Sequence, residues 1–198
     1  MHPPPGWPTK LVLASESPRR LQLLRSIGLE PEVRPAHIDE SPHIGEAPIE
    51  YVRRLAEDKA LALSWSDNHI IAADTTVSLD GEVLGKPIDN SDALRMLSRL
   101  SGHTHQVYTG VAIRYQQHIE TIAVRSDITF CNAEHDLLRW YVETGEPLGK
   151  AGSYAIQGIG SILVSEIHGS VTNVMGLPLT ELHSLLCARY SAAGPQSP

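Results

Sequence analysis

The chain has 198 residues, 41% of them apolar and 20% charged, and a formal net charge of -7. That length suits one domain, or two lobes sharing a core. The acid balance and the scarcity of aromatics, 5% with a single Phe, argue against a nucleic-acid surface, a base-stacking platform or an anionic membrane surface.

Cys131 and Cys187 are the two cysteines, too few for a disulfide framework or a four-cysteine zinc site, so a reduced, cytoplasmic setting is the simplest expectation. No apolar run approaches the roughly 18 residues of a membrane span, and the start lacks the charged-then-apolar plan of a signal peptide. Residues 1–9 and 191–198 are expected to be loose tails on a single domain spanning 10–190.

Leu11-Val12-Leu13 reads as a short buried strand, and Leu21, Leu23, Leu24 and Ile27 then recur at helical spacing. Ser17 is a good N-cap, Pro18 fits the first helical position, and Gly28 ends the helix. Arg19 and Arg20 oppose the helix dipole in that first turn, at roughly 0.3–1 kcal/mol each. With free backbone N–H groups and the hydroxyls of Ser15 and Ser17, the place suits an anion such as a phosphate. The plainer alternative is two solvated surface arginines.

Glu32 to Ile38 is expected as a strand, followed by Asp39-Glu40 and a loop from Pro42 to Pro48. A helix from about Ile49 to Ser66 carries the stripe Ile49, Val52, Ala56, Lys59, Leu63, which puts Lys59 on the inner face. There it either meets an anion or a cleft, or snorkels to the surface at the edge of the stripe. His69 to Leu79 is a buried strand closed by the Asp80-Gly81 hairpin signal. Counting outward from that turn pairs Leu79 with Glu82, Val77 with Leu84 and Thr75 with Lys86, which sets Lys86 diagonally beside Asp74. Asp74 is then a general base, a metal ligand or half of a hairpin salt bridge.

A helix from about Ser91 to Leu100 ends near Gly102. Two antiparallel strands, Gln106 to Tyr115 and His118 to Cys131, surround a Gln116-Gln117 turn. A helix over Ala133 to Thr144, a strand over Ser161 to Ile167 and a helix over Pro178 to Tyr190 complete the chain. Gly145 to Ala151 imitates a phosphate-binding loop, but its glycine spacing is one short and no hydroxyl follows Lys150. His103 and His105 lack a third ligand at metal spacing, Gly158 and Gly160 lack a strand–turn–helix setting, and Ser161 sits in no nucleophile elbow.

Taken in order, Ala14-Ser15-Glu16-Ser17-Pro18-Arg19-Arg20, Ile38-Asp39-Glu40, Arg54-Leu55-Ala56-Glu57-Asp58-Lys59-Ala60, Ala73-Asp74-Thr75, Gly85-Lys86-Pro87, Leu100-Ser101-Gly102, Lys150-Ala151-Gly152-Ser153-Tyr154-Ala155-Ile156-Gln157-Gly158 and Gly176-Leu177-Pro178-Leu179 form a pattern. The chain resembles the Maf family of nucleoside triphosphate pyrophosphatases over about Leu11 to Leu186. The resemblance implies an α/β fold of the Maf/ITPase-like kind: a mixed, twisted sheet with flanking helices and two lobes around a central cleft. It also implies hydrolysis of a nucleoside triphosphate to the monophosphate and pyrophosphate, a divalent metal (magnesium or manganese) and a homodimer. The stretch ending in Gln157 is similar to the subgroup acting on dTTP and UTP. Thr76, Gly149 and Val171 depart from the usual pattern and bear on fine specificity.

On that resemblance, Ser15, Ser17, Arg19 and Arg20 hold the triphosphate, and Lys59 and Lys86 offset charge on the leaving pyrophosphate. Asp74 activates water or binds the metal, with Glu40 as a second ligand. Thr75 and Gln157 read the base, an amide being able to pair with both the N–H and the carbonyl of uracil or thymine. Two other readings stay open: the same reaction on other or modified nucleotides, and a non-catalytic nucleotide-binding regulator of cell division.

Overall fold

In the computed structural model, Asp80 and Gly81 both take left-handed backbone angles (φ 53° and 84°), the pairing a tight hairpin requires. The strands on either side are β3 (His69–Leu79) and β4 (Glu82–Leu84), and their register is the expected one, Leu79 opposite Glu82 and Val77 opposite Leu84. The structure describes residues 4, 5, 7, 8, 10–64 and 68–193, with side chains to residue 187. Around this hairpin lie β1 (Leu11–Leu13), β2 (Glu32–Val33), β5 (Thr104–Tyr115), β6 (His118–Phe130) and β7 (Val164–His168). They form one mixed sheet in the order β2-β1-β3-β5-β6-β7, with β4 beside β3. β1 is parallel to β2 and β3, and the other pairings are antiparallel.

The flanking helices are α1 (Pro18–Ser26), α2 (Pro48–Ala62), α3 (Asn90–Leu100), α4 (His135–Glu143), α5 (Val171–Val174) and α6 (Leu179–Ala193). Alternation along the long strands sorts their side chains between these helices. Ile71 and Ala73 of β3, with Val111 and Ile113 of β5, pack against Leu24 of α1 and Leu182 of α6. Ile70, Ala72 and Ala112 point the other way, onto Ala56 and Ala60 of α2. Past residue 76 a separate cluster takes over, in which Val77, Leu79, Val107 and Phe130 meet Leu97 of α3 and Tyr141 of α4. The sheet is therefore shared by two lobes, and Asp74-Thr75-Thr76 lies where one hands over to the other.

The edge of β3 opposite β5 is divided in the same way. β1 pairs with His69–Ile71 and β4 with Val77–Leu79. Among the described residues no strand lies beside the intervening 72–76 on that edge. A crevice at the carboxyl end of a parallel strand is the usual ligand position in open α/β sheets, and β1 ends there.

Several expected boundaries move. The strand expected over Glu32 to Ile38 is two residues long, because Arg34 donates the last bond to Leu13 and Pro35 has no N–H to continue the ladder. The helix expected to reach Ser66 stops at Ala62, and residues 65–67 lie outside the described part. Arg114 of β5 turns its guanidinium onto the carbonyls of Ala60, Leu61 and Leu63, satisfying that helix end. Ser161 belongs to a 3₁₀ turn over Ile159–Leu163 rather than a strand, since its N–H and hydroxyl both donate to the Gly158 carbonyl. Ala133 is held out of α4 by the Ser101 hydroxyl, which bonds both its N–H and its carbonyl. In the expected N-terminal tail, Trp7 is anchored: it is 7% exposed and its indole N–H donates to His183 Nδ1 at 2.8 Å.

Candidate active site

The strand alternation that sorts the core also sorts the polar residues at the junction. Asp74 follows Ile70 and Ala72 toward α2, and Thr75 follows Ile71 and Ala73 toward α1. Lys59, from the inner stripe of α2, meets Asp74 with Nζ 2.6 Å from Oδ1, and both are buried, at 7% and 8% exposure. The same ammonium lies 2.6 Å from Oε1 of Glu40, which is exposed. One cation thus gathers two carboxylates.

Burial alone would raise the Glu40 carboxyl. The bond from Lys59 and the charges of Lys59, Lys86 and Arg20 outweigh that and hold it below its ordinary range. Tyr51, also on the cleft wall, is pushed up to about 12, chiefly by burial and then by the charges of Asp74 and Glu40. Its hydroxyl donates to the Glu40 carbonyl, which fixes the loop carrying that acid.

Close packing of α2 on the sheet makes this meeting possible. Gly110 of β5 sits opposite Asp74, and a Cβ there would lie 2.1 Å from the Val52 carbonyl oxygen of α2. The absence of a side chain lets the helix settle far enough for Lys59 to reach Asp74.

On the other face, Arg20 is 9% exposed and buried within a ring of neutral oxygens. Its Nε donates to the Gly176 carbonyl at 2.8 Å, Nη1 to Ser15 Oγ at 2.9 Å and Nη2 to Thr75 Oγ1 at 3.0 Å. Thr109 donates its hydroxyl proton to the Asn173 carbonyl, so the 3.0 Å contact between Thr75 and Thr109 must run from Thr75 as donor. The Thr75 hydroxyl therefore accepts from Arg20 and donates to Thr109. Ser15 Oγ accepts from Arg20 and from the Ser17 N–H, leaving its own O–H as the group able to donate. The expected N-cap bond from the Ser17 side chain is not formed, although Ser17 has the extended backbone of a cap.

These groups line one cavity of about 810 Å³. The structure brings Ser15, Ser17, Arg19, Arg20, Glu40, Lys59, Asp74, Thr75 and Lys86 onto its wall. Gln157 is exposed and outside that lining, although its neighbours Ala155 and Ile156 belong to it. The pairing expected between Asp74 and Lys86 gives way to the Lys59 pair, because β4 stops at Leu84 and the ladder never reaches Thr75. Lys86 instead stands exposed at the cleft.

Lys150, which in the sequence belongs to an imperfect phosphate loop and opens the stretch ending at Gly158, also lines the cleft. Burial and then the charge of Arg19 hold its pKa below the usual lysine range. Its signals in the sequence are a lysine amid glycines and a place in the family pattern; neither gives it a role, and only the fold turns it toward Arg19. Tyr51 gives no sequence signal beyond an aromatic on a helix.

The family model described as "Maf-like protein" matches residues 10–189. The chain belongs to the Maf family. This Maf-family chain is 52% identical to a dTTP/UTP pyrophosphatase of Myxococcus xanthus, over 90% of this chain and 91% of the relative. It is 51% identical to a dTTP/UTP pyrophosphatase of Anaeromyxobacter sp., over 89% and 88%. Among solved structures, the Staphylococcus aureus Ham1 protein superposes with a TM-score of 0.53 at 13% identity, over 91% of this chain and 100% of that one. That likeness shows the Maf chain's fold to be the mixed α/β architecture shared with Ham1.

Proposed function

We propose that this chain hydrolyses dTTP and UTP between the α and β phosphates, releasing the nucleoside monophosphate and pyrophosphate. The observation that carries the reading is the junction of the two lobes, where buried Asp74 meets Lys59 in a cleft walled by Arg19, Lys86 and Lys150. A molecule of net charge -7 has concentrated cations at one hollow, which suits a polyanionic substrate. The names of its relatives supply the reaction and the bases.

Asp74 is the general base: it takes a proton from water as the water oxygen bonds to the α phosphorus. The bond from that phosphorus to the bridging oxygen breaks, and the pyrophosphate leaves with both electrons. Lys86, Lys150 and Arg19 neutralise the charge that collects on the leaving group, the main contribution in phosphoryl-type transfer. Lys59 holds the Asp74 and Glu40 carboxylates in place. Arg20 sets the Ser15 and Thr75 hydroxyls, and Gln157 and Thr75 read the base.

Asp74 and Glu40 fit a divalent metal in donor type, as two hard carboxylates that Lys59 draws together, and magnesium or manganese commonly takes one or two carboxylates beside substrate phosphates. Among the described residues no group of three His, Cys, Asp or Glu gathers, so the substrate phosphates and water would complete the shell. Such an ion, when bound, supplies charge neutralisation at the phosphates. The assembly we assign is a homodimer, as the family resemblance implies, and light scattering that returns the monomer mass would overturn it. The setting is a reducing compartment, in keeping with the free thiols of Cys131 and Cys187. Among the described residues no helix is long and apolar enough to cross a membrane.

The test is Asp74→Asn, assayed for pyrophosphate release from UTP and dTTP with magnesium present. Loss of a general base should lower kcat by about 10²–10⁴-fold. Near-normal turnover in a folded variant removes Asp74 from the chemistry.

A further inference from the structure

Glu146 lies outside the cleft lining, yet its side chain is wired to the segment that carries Gln157. Oε1 accepts from the Tyr141 hydroxyl at 2.8 Å and from the Gly160 N–H at 2.8 Å, while Oε2 accepts from the Ile159 N–H at 2.9 Å. Tyr141, fully buried in α4, closes the circuit by accepting from the Ala155 N–H at 3.2 Å. Three backbone N–H groups flanking Gln157, those of residues 155, 159 and 160, therefore end on one Tyr–Glu pair. The fit is close: a Cβ at Gly158 would lie 2.4 Å from Glu146 Oε2, and a Cβ at Gly160 would lie 2.4 Å from the Tyr141 hydroxyl. Gly158 also has a φ of +154°, in the range that disfavours other residues. The close approach of these side chains accounts for both glycines.

We infer that Glu146 is a positioning residue for base selection: with Tyr141 it latches residues 155–160 so that Gln157 is presented at the mouth of the cleft. The inference rests on the reading of Gln157 as the amide that pairs with uracil or thymine. Carboxylate chemistry is what the latch needs. An ionised Glu146 offers acceptors on both oxygens, whereas an amide in its place must turn an NH₂ toward either Ile159 N–H or the pair on Oε1. Burial would raise the Glu146 carboxyl, but the bonds from Gly160, Ile159 and Tyr141, with the charge of Lys150, outweigh it and keep it ionised at neutral pH. Lys150 in turn donates to the Glu146 backbone carbonyl, and Arg19 senses the Glu146 charge, so the latch is anchored beside the phosphate cations.

The experiment compares the full chain with Glu146→Gln, Tyr141→Phe and Gln157→Ala, using UTP and CTP as probes. Hydrogen exchange of residues 155–161 is followed alongside. For Glu146→Gln we expect faster exchange confined to that segment and a fall of about tenfold in kcat/KM for UTP, mostly through KM, the size of one charge-assisted hydrogen bond. CTP turnover should stay level, so the UTP-to-CTP preference drops by the same factor. Tyr141→Phe keeps the ring packing and removes two bonds of the latch, the one to Glu146 and the one from the Ala155 N–H; it should move the same readouts in the same direction, and it carries the test if Glu146→Gln does not fold.

Unchanged exchange in 155–161 overturns the latch. So does a loss of turnover that falls equally on UTP and CTP through kcat, since that marks a general structural role. If Gln157→Ala abolishes the preference while Glu146→Gln leaves it, the latch fails and the base reading stands. If Gln157→Ala also leaves the preference unchanged, the base reading fails and takes this inference with it.

Discussion

Arg20 and Lys59 are two buried cations on the walls of one cleft, held in different ways. Lys59 faces two carboxylates, so its charge is met within the protein. Arg20 is bonded to a carbonyl and two hydroxyls, all neutral. Burial pulls its pKa down and the charge of Asp74 partly restores it, yet a guanidinium stays protonated in any protein setting. Three donors on neutral oxygens leave two N–H groups and an unspent positive charge, a state that a phosphate would relieve under the proposed reaction. Arg20→Lys should fail to reproduce the fork, because one ammonium cannot reach Gly176, Ser15 and Thr75 in a single plane. We expect a stability loss of about 1–3 kcal/mol in urea titration. The accompanying drop in kcat/KM should be larger than for a surface arginine such as Arg53. Unchanged kinetics would show that the fork onto the three oxygens serves stability alone, since lysine keeps the charge.

At the scale of elements, the site depends on how closely α2 lies on β3 and β5. Gly110 sets that distance. Gly110→Ala should push α2 away at a cost of about 1–3 kcal/mol from overpacking, or more because the clashing atoms are backbone. Activity should fall further than stability predicts, since Lys59 rides on the displaced helix and loses its reach to Asp74. Urea unfolding paired with kcat at a temperature well below the melting point checks both parts. A destabilised variant with full kcat would show that the Lys59–Asp74 contact tolerates the shift. The opposite wall is built from a different kind of element: the short helix α5 and the turn at Met175-Gly176, tied to β5 by Thr109 and by the Asn173 amide on the Val107 carbonyl.

For the whole molecule, the telling property is the mismatch between a net charge of -7 and a cleft lined by cations. An acidic body repels a triphosphate at long range, and the local cations attract it only within the screening length. Raising salt shortens that length from about 10 Å at 0.1 M to about 3 Å at 1 M. The body's repulsion is removed first and the contact attraction later. KM for UTP should therefore fall slightly up to about 0.1 M salt and rise above it, with kcat nearly constant. A KM that falls steadily across the whole range would mean that the acidic surface, and not the cleft, governs encounter.

Features governed by neighbouring residues are legible in the sequence. The Asp80-Gly81 turn fixes its own hairpin register, so Leu79–Glu82 and Val77–Leu84 can be counted off. Helical period alone places Lys59 inward, and the run His69–Leu79 is a strand of those bounds. The strand expected through Ile38 fails at Pro35, where an available local signal, a residue with no N–H, is outweighed by the apolar pattern around it. The partner of Asp74 escapes the sequence for another reason. Counting from the hairpin assumes that β4 continues, and nothing local to Lys86 says that pairing ends at Leu84 while α2 brings Lys59, 15 residues before Asp74, to the acid.

The sequence by itself determined the long helices and strands, the inward face of α2, the acid at the end of an apolar run and the family, because each depends on residues adjacent in the chain or on motifs in fixed order. Only the tertiary structure decided which cation meets Asp74, that Arg20 braces neutral oxygens, that Lys150 faces the cleft and that Glu146 reaches the Gln157 segment. Those pairings join residues that no local rule relates. They are set by how closely helices and turns pack on the sheet, at glycines such as Gly110, Gly158 and Gly160, where a single Cβ would hold the partners apart.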